Sequence, residues 1–389
     1  MLRSREIRRM VDGGYSQSQV AETVFECLQR HSAGEPGGID ANEFSLREMY
    51  EELVPDGREA VRLLNPRYES AAMEANVDTS LFANITGQLV VTRILEGFNN
   101  GDYTFSRLIP AQPSPFLGGE KIPGMAQLGD TAAVVAEGDP YGNSTFGEEY
   151  IETPATTKRG RIVAVTKEAV FADRTRLILD RARGVGEFLG LNKEKRLCDV
   201  AIGATNNYKR NGVSADTYQA ATPWINEHSN VLTDWGNVEA AEILMGEVTD
   251  PNTGEPISLS GTSMVVTRAK YRTAQRIVTA TQVRHSGGGV ETIGGNPIQS
   301  VGYQVHMSDQ MYMRLQSEKL VSAANAKLQW LYGNFSKAFA YMENWPITTV
   351  QAPPDATLNF TNDIVAQYKA SERGVAAVLE PRYIQLNLH

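Results

Sequence analysis

Cysteine and histidine are scarce in this sequence of 389 residues, which has two cysteines and five histidines. Cys27 and Cys198 lie far apart and fit no metal-binding or redox spacing, so they predict two reduced thiols in a reducing compartment. The histidines are scattered along the chain: His31, His228, His285, His306 and His389. No two of them stand four positions apart with a glutamate between, as a zinc hydrolase helix requires.

A surplus of basic residues and a long apolar run are also missing. The formal net charge is −9, whereas a general nucleic-acid-binding protein shows a basic face. No stretch approaches the ~20 apolar residues of a membrane span, and the N-terminus has no apolar signal core. The composition, 41% apolar and 21% charged, is ordinary for a soluble globular protein. The length of 389 residues allows two or three domains or one large irregular one. We expect it to be made in the cytoplasm.

Local motifs of catalysis are absent from the sequence as well. No Gly-x-Ser-x-Gly elbow occurs, and neither cysteine has a catalytic signature. The glycine clusters at 286–289 and 294–295 lack the lysine and hydroxyl of a phosphate-binding loop, so we interpret them as flexible loops. Residues 250–255 lack the distal glutamate of a calcium loop and are interpreted as a turn. We therefore expect no catalytic, cofactor-binding or metal-binding residues, no cofactor and no enzyme, although a site assembled from distant residues stays open.

The first block, residues 1–76, mixes helical patterns with breakers. Apolar residues at helical spacing predict a helix over 16–30, and a second helix is predicted over 45–54. Glycine and proline at 32–38 separate the two. Because the block has little continuous apolar surface, we expect an arm that packs on something else. The next helix, over 78–99, has a clearer apolar stripe: Leu81, Ile85, Leu89 and Ile94.

Residues 105–158 form a long excursion that is rich in proline and glycine. Two extended stretches, 131–137 and 150–157, flank the turn 138–143, which predicts a long β-hairpin. Neither stretch has enough large apolar residues for a core of its own. A compact domain seldom keeps such an excursion unless it is functional, but composition alone leaves a mobile surface loop open.

A strand over 161–166 leads into a long helix over 174–202, which would reach ~40 Å at ~1.5 Å per residue. Its apolar stripe consists of Ile178, Ala182, Val185 and Leu189. Gly184, Gly186 and Gly190 each weaken a helix by up to ~1 kcal/mol relative to alanine. We expect tertiary contacts or close packing of neighbouring elements to hold it.

After residue 203, helices and strands alternate. Helices are predicted over 237–247 and 268–279, with a strand over 263–267. The C-terminal part is β-rich, with strands predicted at 335–341, 347–350, 364–369, 375–379 and 383–386. A turn is predicted at Glu372-Arg373-Gly374.

This order of elements, with three stretches of sequence, resembles the tailed-bacteriophage major capsid proteins of the Hong Kong 97 type. The first stretch is 157–168, TKRGRIVAVTKE, followed by Asp173 and the long helix. The second is 250–257, DPNTGEPI, leading to MVV at 264–266. The third is C-terminal: GNF at 333–335, FTNDIVA at 360–366, SERG at 371–374 and PRYI at 381–384. The resemblance runs from about Asp78 to the end, and the order and spacing of the motifs carry it.

The resemblance implies an α+β, Hong Kong 97-like capsid fold with an N-terminal arm, an extended β-hairpin loop, a peripheral domain with a long spine helix, and an axial domain. The implied parts are an N-terminal arm or extra segment (1–76), the start of the peripheral domain (77–124), the extended loop (125–158), the peripheral domain with its spine helix (159–203), the axial domain (204–331), return strands of the peripheral domain (332–374), and a final strand returning to the axial domain (375–389).

The function implied is that of a structural subunit of an icosahedral tailed-phage or prophage capsid. Copies would self-assemble as hexamers and pentamers that enclose double-stranded DNA without sequence-specific binding and without a membrane. Portal, scaffolding and decoration proteins are the other implied partners. The implied location is the virion capsid, after synthesis in the bacterial host cytoplasm.

One departure from the family pattern affects its chemistry. The type member joins its subunits by a Lys–Asn isopeptide bond that a glutamate promotes. Aligned on Glu372-Arg373 and Pro381, this sequence has Ile364 at the asparagine position and Ser371 at the glutamate position. We therefore expect a shell held by non-covalent contacts or by decoration proteins.

Three alternatives stay open. An encapsulin-like nanocompartment shell protein would share the fold and enclose an enzyme cargo, but the long N-terminal block and the long loop favour a phage capsid. An α/β enzyme would show a pocket with convergent titratable groups. A phage tail structural protein would have an all-β plan in place of the long helix.

Overall fold

The computed structural model describes residues 7, 9–10, 12–41, 44–53, 58, 80–124, 149–166, 172, 174–221, 224–249, 256–257, 259–287, 290–352 and 364–388. Helices within these ranges are α1 (Gln17–Ser32), α2 (Leu46–Leu53), α3 (Ser80–Asn99), α4 (Thr104–Leu108), α5 (Thr175–Ala201), α6 (Trp235–Gly246), α7 (Arg268–Thr279), α8 (Asp309–Ser317), α9 (Ala323–Ala326) and α10 (Phe335–Ala338). Short 3-10 turns occur at Ile298–Ser300 and Pro381–Tyr383.

The strands in the same ranges are β1 (Ala111–Pro113), β2 (Lys121–Pro123), β3 (Tyr150–Glu152), β4 (Thr157–Thr166), β5 (Lys209–Arg210), β6 (Val213–Ser214), β7 (Glu227–Ser229), β8 (Ser263–Val266), β9 (Gln282–Gly287), β10 (Val290–Gly295), β11 (Gln304–Met307), β12 (Trp330–Gly333), β13 (Phe339–Gln351), β14 (Ile364–Val378) and β15 (Ile384–Leu388). None of the described helices is long and apolar enough to cross a membrane.

The chain divides into two compact units. The first contains Met1–Asp102, Lys158–Asn192 and Trp345–Arg373, and the second contains Tyr103–Thr157, Lys193–Asn344 and Gly374–His389. The later boundaries fall inside α5, β13 and β14. The seven segments predicted from the sequence have boundaries at other positions, such as 203/204 and 331/332. As an assignment of shell domains, that partition stays a prediction.

The first unit has a core built from helices and from the strands β4 and β14. Helix α1 begins with a capping box, in which the N–H of Gln19 donates to the Ser16 hydroxyl at 3.3 Å and the N–H of Ser16 donates to Oε1 of Gln19 at 2.9 Å. The core contains buried residues from the following positions: Val20, Val24, Leu28, Leu46, Met49, Ile85, Leu89, Ile94, Ile178, Leu189 and Tyr368. Helices α1 and α2 fall in the block predicted to be an arm that packs on something else. They contribute buried apolar residues to this core, among them Val24, Leu28 and Met49.

Glycines allow α3 and α5 to approach closely within the first unit. A Cβ placed on Gly97 would clash with the carbonyl oxygen of Arg183, and one on Gly186 would clash with the carbonyl oxygen of Ile94. The close packing expected from the glycines of the long helix is confirmed at Gly186. At Gly184, by contrast, nothing lies within 4 Å of an added Cβ.

The second unit is built on a five-stranded sheet in the order β11-β8-β12-β15-β7. The middle strands are antiparallel, and each edge strand is parallel to its neighbour. Alternate residues along the strands enter two different cores, as the two faces of a pleated strand require. Val265 and Leu331 contribute to one core, while Met264 and Trp330 contribute to the other. The sheet is therefore buried on both faces.

Three local predictions are wrong. Residues 286–287 and 294–295 of the glycine clusters lie in the paired strands β9 and β10 rather than in flexible loops, while residues 288–289 lie outside the described residues. Residues 335–338 form the short helix α10 before β13 begins. The turn predicted at Glu372-Arg373-Gly374 is interior to the continuous strand β14, whose pairing with a distant strand overrides the local turn composition.

Candidate functional site

A small four-stranded sheet in the second unit holds the chain on both sides of segment 125–148. Its order is β2-β3-β5-β6. Strands β2 and β3 pair antiparallel, with Pro123 opposite Tyr150, and the N–H of Gly124 donates to the carbonyl of Glu149 at 2.9 Å. The chain thus leaves this sheet at Gly124 and returns at Glu149. The segment between them, 125–148, which includes the extended stretch predicted at 131–137, lies outside the described residues.

The returning strand is held by the tight hairpin of β5 and β6. Asn211 and Gly212 connect these strands with φ angles of 50° and 82°, as the two-residue turn of a hairpin requires. The N–H of Tyr150 donates to Oδ1 of Asn211 at 3.0 Å, and the N–H of Asn211 donates to the carbonyl of Tyr150 at 3.0 Å. The Asn-Gly pair is a sequence signal for such a hairpin, although this turn was not among the predicted elements.

Ion pairs reinforce the same contact. Arg210 pairs with Glu149, and Lys209 pairs with Glu152. The ammonium of Lys121 lies 4.2 Å from the centre of the Tyr150 ring. The hydrogen bond from Lys209 lowers the pKa of Glu152, and the charges of Lys209 and Lys121 lower it further against the opposing effect of burial. We call these residues, 121–123, 149–152 and 209–212, the hairpin clamp.

A loop before β2 is tied to the chain that follows β3. The N–H of Glu120 donates to Oγ1 of Thr153 at 2.9 Å, and the N–H of Thr153 donates to the carbonyl of Glu120 at 2.9 Å. Asn344 donates from Nδ2 to the carbonyls of Ser114 and Phe116 at 2.7 and 2.8 Å. Residues 114–124 and 149–156 are therefore fixed in the second unit on both sides of the hairpin.

A buried carboxylate positions the chain that enters this loop. The N–H groups of Phe105 and Ser106 donate to the two carboxylate oxygens of Glu194 at 2.9 Å each, and the Ser106 hydroxyl donates to it at 2.9 Å. Burial raises the pKa of Glu194, against the opposing effect of these hydrogen bonds. The contact joins α4 to the part of α5 that belongs to the second unit, and no local motif in the sequence pointed to it.

A second buried charge orders the C-terminal strand. Arg382 is 2% exposed, and its guanidinium donates from Nε to Oε1 of Glu380 at 2.7 Å and from Nη2 to Oε2 at 2.8 Å. Asn226 donates from Nδ2 to the carbonyl of Pro381 at 2.9 Å. The motif PRYI at 381–384 thus forms a 3-10 turn that leads into β15 in the five-stranded sheet.

These groups position backbone and do not converge on a common point. Among the described residues, no three of histidine, cysteine, aspartate and glutamate come close enough to hold a metal ion. Burial raises the pKa of Cys198 well above its ordinary value and lowers the pKa of His228 and of His306. The prediction of no catalytic, cofactor-binding or metal-binding residues stays a prediction.

The phage capsid protein family matches residues 149–387. The chain belongs to this family. The match begins in the hairpin clamp, ends in β15, and covers more than half of the chain. No curated protein matches the chain.

Solved structures of shell proteins are similar to this capsid protein. The capsid structure of the cyanophage P-SCSP1u is 10% identical with a TM-score of 0.46, over 74% of this chain and 88% of that chain. The capsid of a native GTA particle is 13% identical with a TM-score of 0.45, over 74% of this chain and 90% of that chain. The holo-SrpI encapsulin complex of Synechococcus elongatus PCC 7942 is 12% identical with a TM-score of 0.41, over 75% and 88%.

The predicted family is confirmed, and the mixed α+β architecture agrees with the predicted Hong Kong 97-like capsid fold. The protein is a structural subunit of a phage capsid and belongs to the virion shell. Of the three stretches behind the resemblance, 157–166 is strand β4 and 264–266 lies in β8. Residues 167–168, Asp173, 250–255 and 360–363 lie outside the described residues.

Proposed function

We propose that this chain is the major capsid subunit of a tailed phage or prophage, and that its copies close an icosahedral shell of hexamers and pentamers around double-stranded DNA. The observation that carries the proposal is the hairpin clamp. Ion pairs and backbone hydrogen bonds hold the two ends of segment 125–148 side by side on one sheet. A compact domain seldom keeps an excursion of this length unless it is functional, and here both of its ends are fixed.

The proposed role is to contact a neighbouring copy. Segment 125–148 supplies 24 residues between the two clamped strands. The segment contains four acidic residues and no lysine or arginine. In this proposal 125–158 is the extended loop, α5 is the spine helix, and 204–331 is the axial domain around the local five-fold and six-fold axes. Portal, scaffolding and decoration proteins complete the shell, which is assembled in the bacterial cytoplasm.

Electron microscopy of the purified full-length chain tests the proposal. We expect closed particles, or pentamers and hexamers, in the absence of other phage proteins or with a co-expressed scaffold. A matched variant joins Gly124 to Glu149 through a short Gly-Ser turn and keeps the clamp; we expect it to fold and to form no closed shell. A wild-type chain that stays monomeric under every assembly condition would contradict the proposal.

The contents of the particle separate the capsid from the encapsulin-like alternative. Particles recovered from cells that release them are treated with nuclease and then opened. Protected double-stranded DNA supports the proposed function, whereas an enzyme cargo with no protected DNA supports a nanocompartment.

A further inference from the structure

Helix α6 has an acidic outer face. Its residues Val238, Ala241 and Met245 are buried in the core of the second unit, which leaves Glu239, Glu242 and Ile243 exposed. Glu247, which ends the helix, is exposed too. The helix has no lysine or arginine. Within the described residues Glu242 forms a hydrogen bond with Tyr303, and none of the three glutamates forms an ion pair.

Helix α7 has a basic outer face. Its arginines at 268, 272 and 276 are spaced four residues apart, so they form one stripe along the helix, and all three are exposed. Arg268 pairs with Asp309. In the described part of the chain, Arg272 and Arg276 form no ion pair; Arg272 donates only to Oε1 of Gln275, at 3.1 Å. The helix contains no acidic residue.

The two helices lie on the same face of the five-stranded sheet. Both bury their inner faces in the core that contains Met264 and Trp330, and both contact the 3-10 turn Ile298–Ser300. Across the described ranges, no ion pair joins them. One copy therefore presents an acidic helix and a basic helix that do not neutralise each other, and the partner whose charges fit both is a second copy of the chain.

We propose that the acidic face of α6 in one copy contacts the basic face of α7 in the next copy, head to tail, around the rings of the shell. This inference rests on the proposed function, because it needs copies that form rings. A contact between two different faces is heterologous, so it closes into a ring of any number of copies that the rotation allows. Ile243, which is 55% exposed, supplies an apolar contact among the glutamates.

Charge pairs of this kind set the register and the rate of association more than the affinity. An exposed pair is weak by itself and is screened by salt, whereas opposed potentials steer the encounter and disfavour wrong pairings. Ring formation should therefore fall as the ionic strength rises. Reversal of the charge on one face should abolish ring formation, because like charges then meet at every contact.

Three charge-reversal variants of the full-length chain test the contact. The first reverses the acidic face (E239K/E242K), the second reverses the basic face (R272E/R276E), and the third carries all four substitutions. Native mass spectrometry and electron microscopy count the copies in each ring. We expect loss of rings in the first and second variants. In the third variant we expect pentamers and hexamers to return, because its two faces are again opposite in charge.

A mixture of the first two variants gives a sharper result. In such a mixture, each copy fits only a copy of the other variant, so the two must alternate around a ring. Only rings with an even number of copies can then close. We expect hexamers that contain three copies of each variant, no pentamers and no closed icosahedral shell.

Several outcomes would overturn the contact while leaving the proposed function intact. One such outcome is ring formation at wild-type yield by either variant with one reversed face. Another is that the variant with all four substitutions forms no rings. The others are that the mixture forms only dimers, or that it forms pentamers. If one reversal lowers the melting temperature, the neutral variants E239Q/E242Q and R272Q/R276Q replace it, and unchanged ring yield in both has the same meaning. A wild-type chain that forms no rings would overturn the proposed function itself.

Discussion

Gly374 lies against the ring of Tyr341 in the second unit, where a Cβ on the glycine would stand 2.6 Å from Cζ and 2.7 Å from the phenolic oxygen. The ring is buried, with the ammonium of Lys193 4.1 Å from its centre and Nη1 of Arg196 donating to its hydroxyl at 3.2 Å. Strand β14 passes beside β13 at this point. The glycine therefore makes room for an aromatic ring inside a continuous strand.

We expect Gly374→Ala to destabilise the second unit by about 1–3 kcal/mol, the usual cost of an extra methyl group in a packed core. The melting temperature of the unassembled subunit measures the effect. Replacement of Tyr341 by leucine in the same background should recover part of the loss, because it removes the ring that the new Cβ meets. An unchanged melting temperature for Gly374→Ala would contradict this account.

The same glycine shows where the sequence could not predict the fold. Glu372-Arg373-Gly374 has the composition of a turn, but Glu372 is buried and the guanidinium of Arg373 lies 5.5 Å from the centre of the Trp345 ring. Both environments come from residues distant in sequence. Helix α7, in contrast, matches its predicted bounds, and α5 matches within one residue at each end, because a long apolar stripe is a local property.

The excursion was predicted from local composition, but the hairpin clamp that holds its ends was not. Prolines, glycines and a returning β stretch indicated an excursion between about 105 and 158 and its return near Tyr150. The residues that hold it, Lys209 and Arg210, are separated from it by the whole of α5, so only the tertiary structure shows them. Glu194 was missed in the same way, because a lone glutamate on a helix usually faces solvent.

The buried carboxylate of Glu194 makes the stability of the second unit depend on pH. Burial raises its pKa above the ordinary value, so folding disfavours the ionised form relative to the unfolded chain. The stability that this group contributes is complete below the ordinary pKa of a glutamate, 4.5, and is lost as the pH rises through the raised pKa. We expect Glu194→Gln to lack this loss, because glutamine does not ionise.

Thermal unfolding of both proteins between about pH 4 and about pH 7 measures the effect. We expect the melting temperature of the wild type, relative to that of Glu194→Gln, to be highest at about pH 4 and to fall as the pH rises. Glutamine also loses a hydrogen bond from Phe105 or Ser106, because its amide nitrogen cannot accept one, and this lowers the melting temperature of the variant. A difference that stays constant across the range would rule out the raised pKa.

The hairpin clamp should open when its charges are made alike. Arg210→Glu would face Glu149, a carboxylate that is 6% exposed, so the returning strand should lose protection at residues 149–152. Hydrogen exchange of the unassembled subunit measures this, with a rise of about ten-fold or more expected in the exchange rate of those amides. In the variant that exchanges the two charges, Glu149→Arg/Arg210→Glu, the exchange rate of the same amides should return towards that of the wild type. Arg176→Glu, which alters an exposed arginine of the first unit with no ion pair in the described ranges, should leave these amides unchanged.

The two glycines in the middle of α5 should respond to alanine in opposite ways. Gly186 packs against the backbone of α3, so Gly186→Ala forces the helices apart and should cost about 1–3 kcal/mol of the stability of the first unit. Gly184 has open space around it, so Gly184→Ala adds helix propensity with no clash and should raise the stability by up to ~1 kcal/mol. The difference in melting temperature between these two variants of the unassembled subunit measures the effect of helix contact directly, because the substitution and the helix are the same in both. Equal shifts would mean that α3 and α5 do not approach at Gly186.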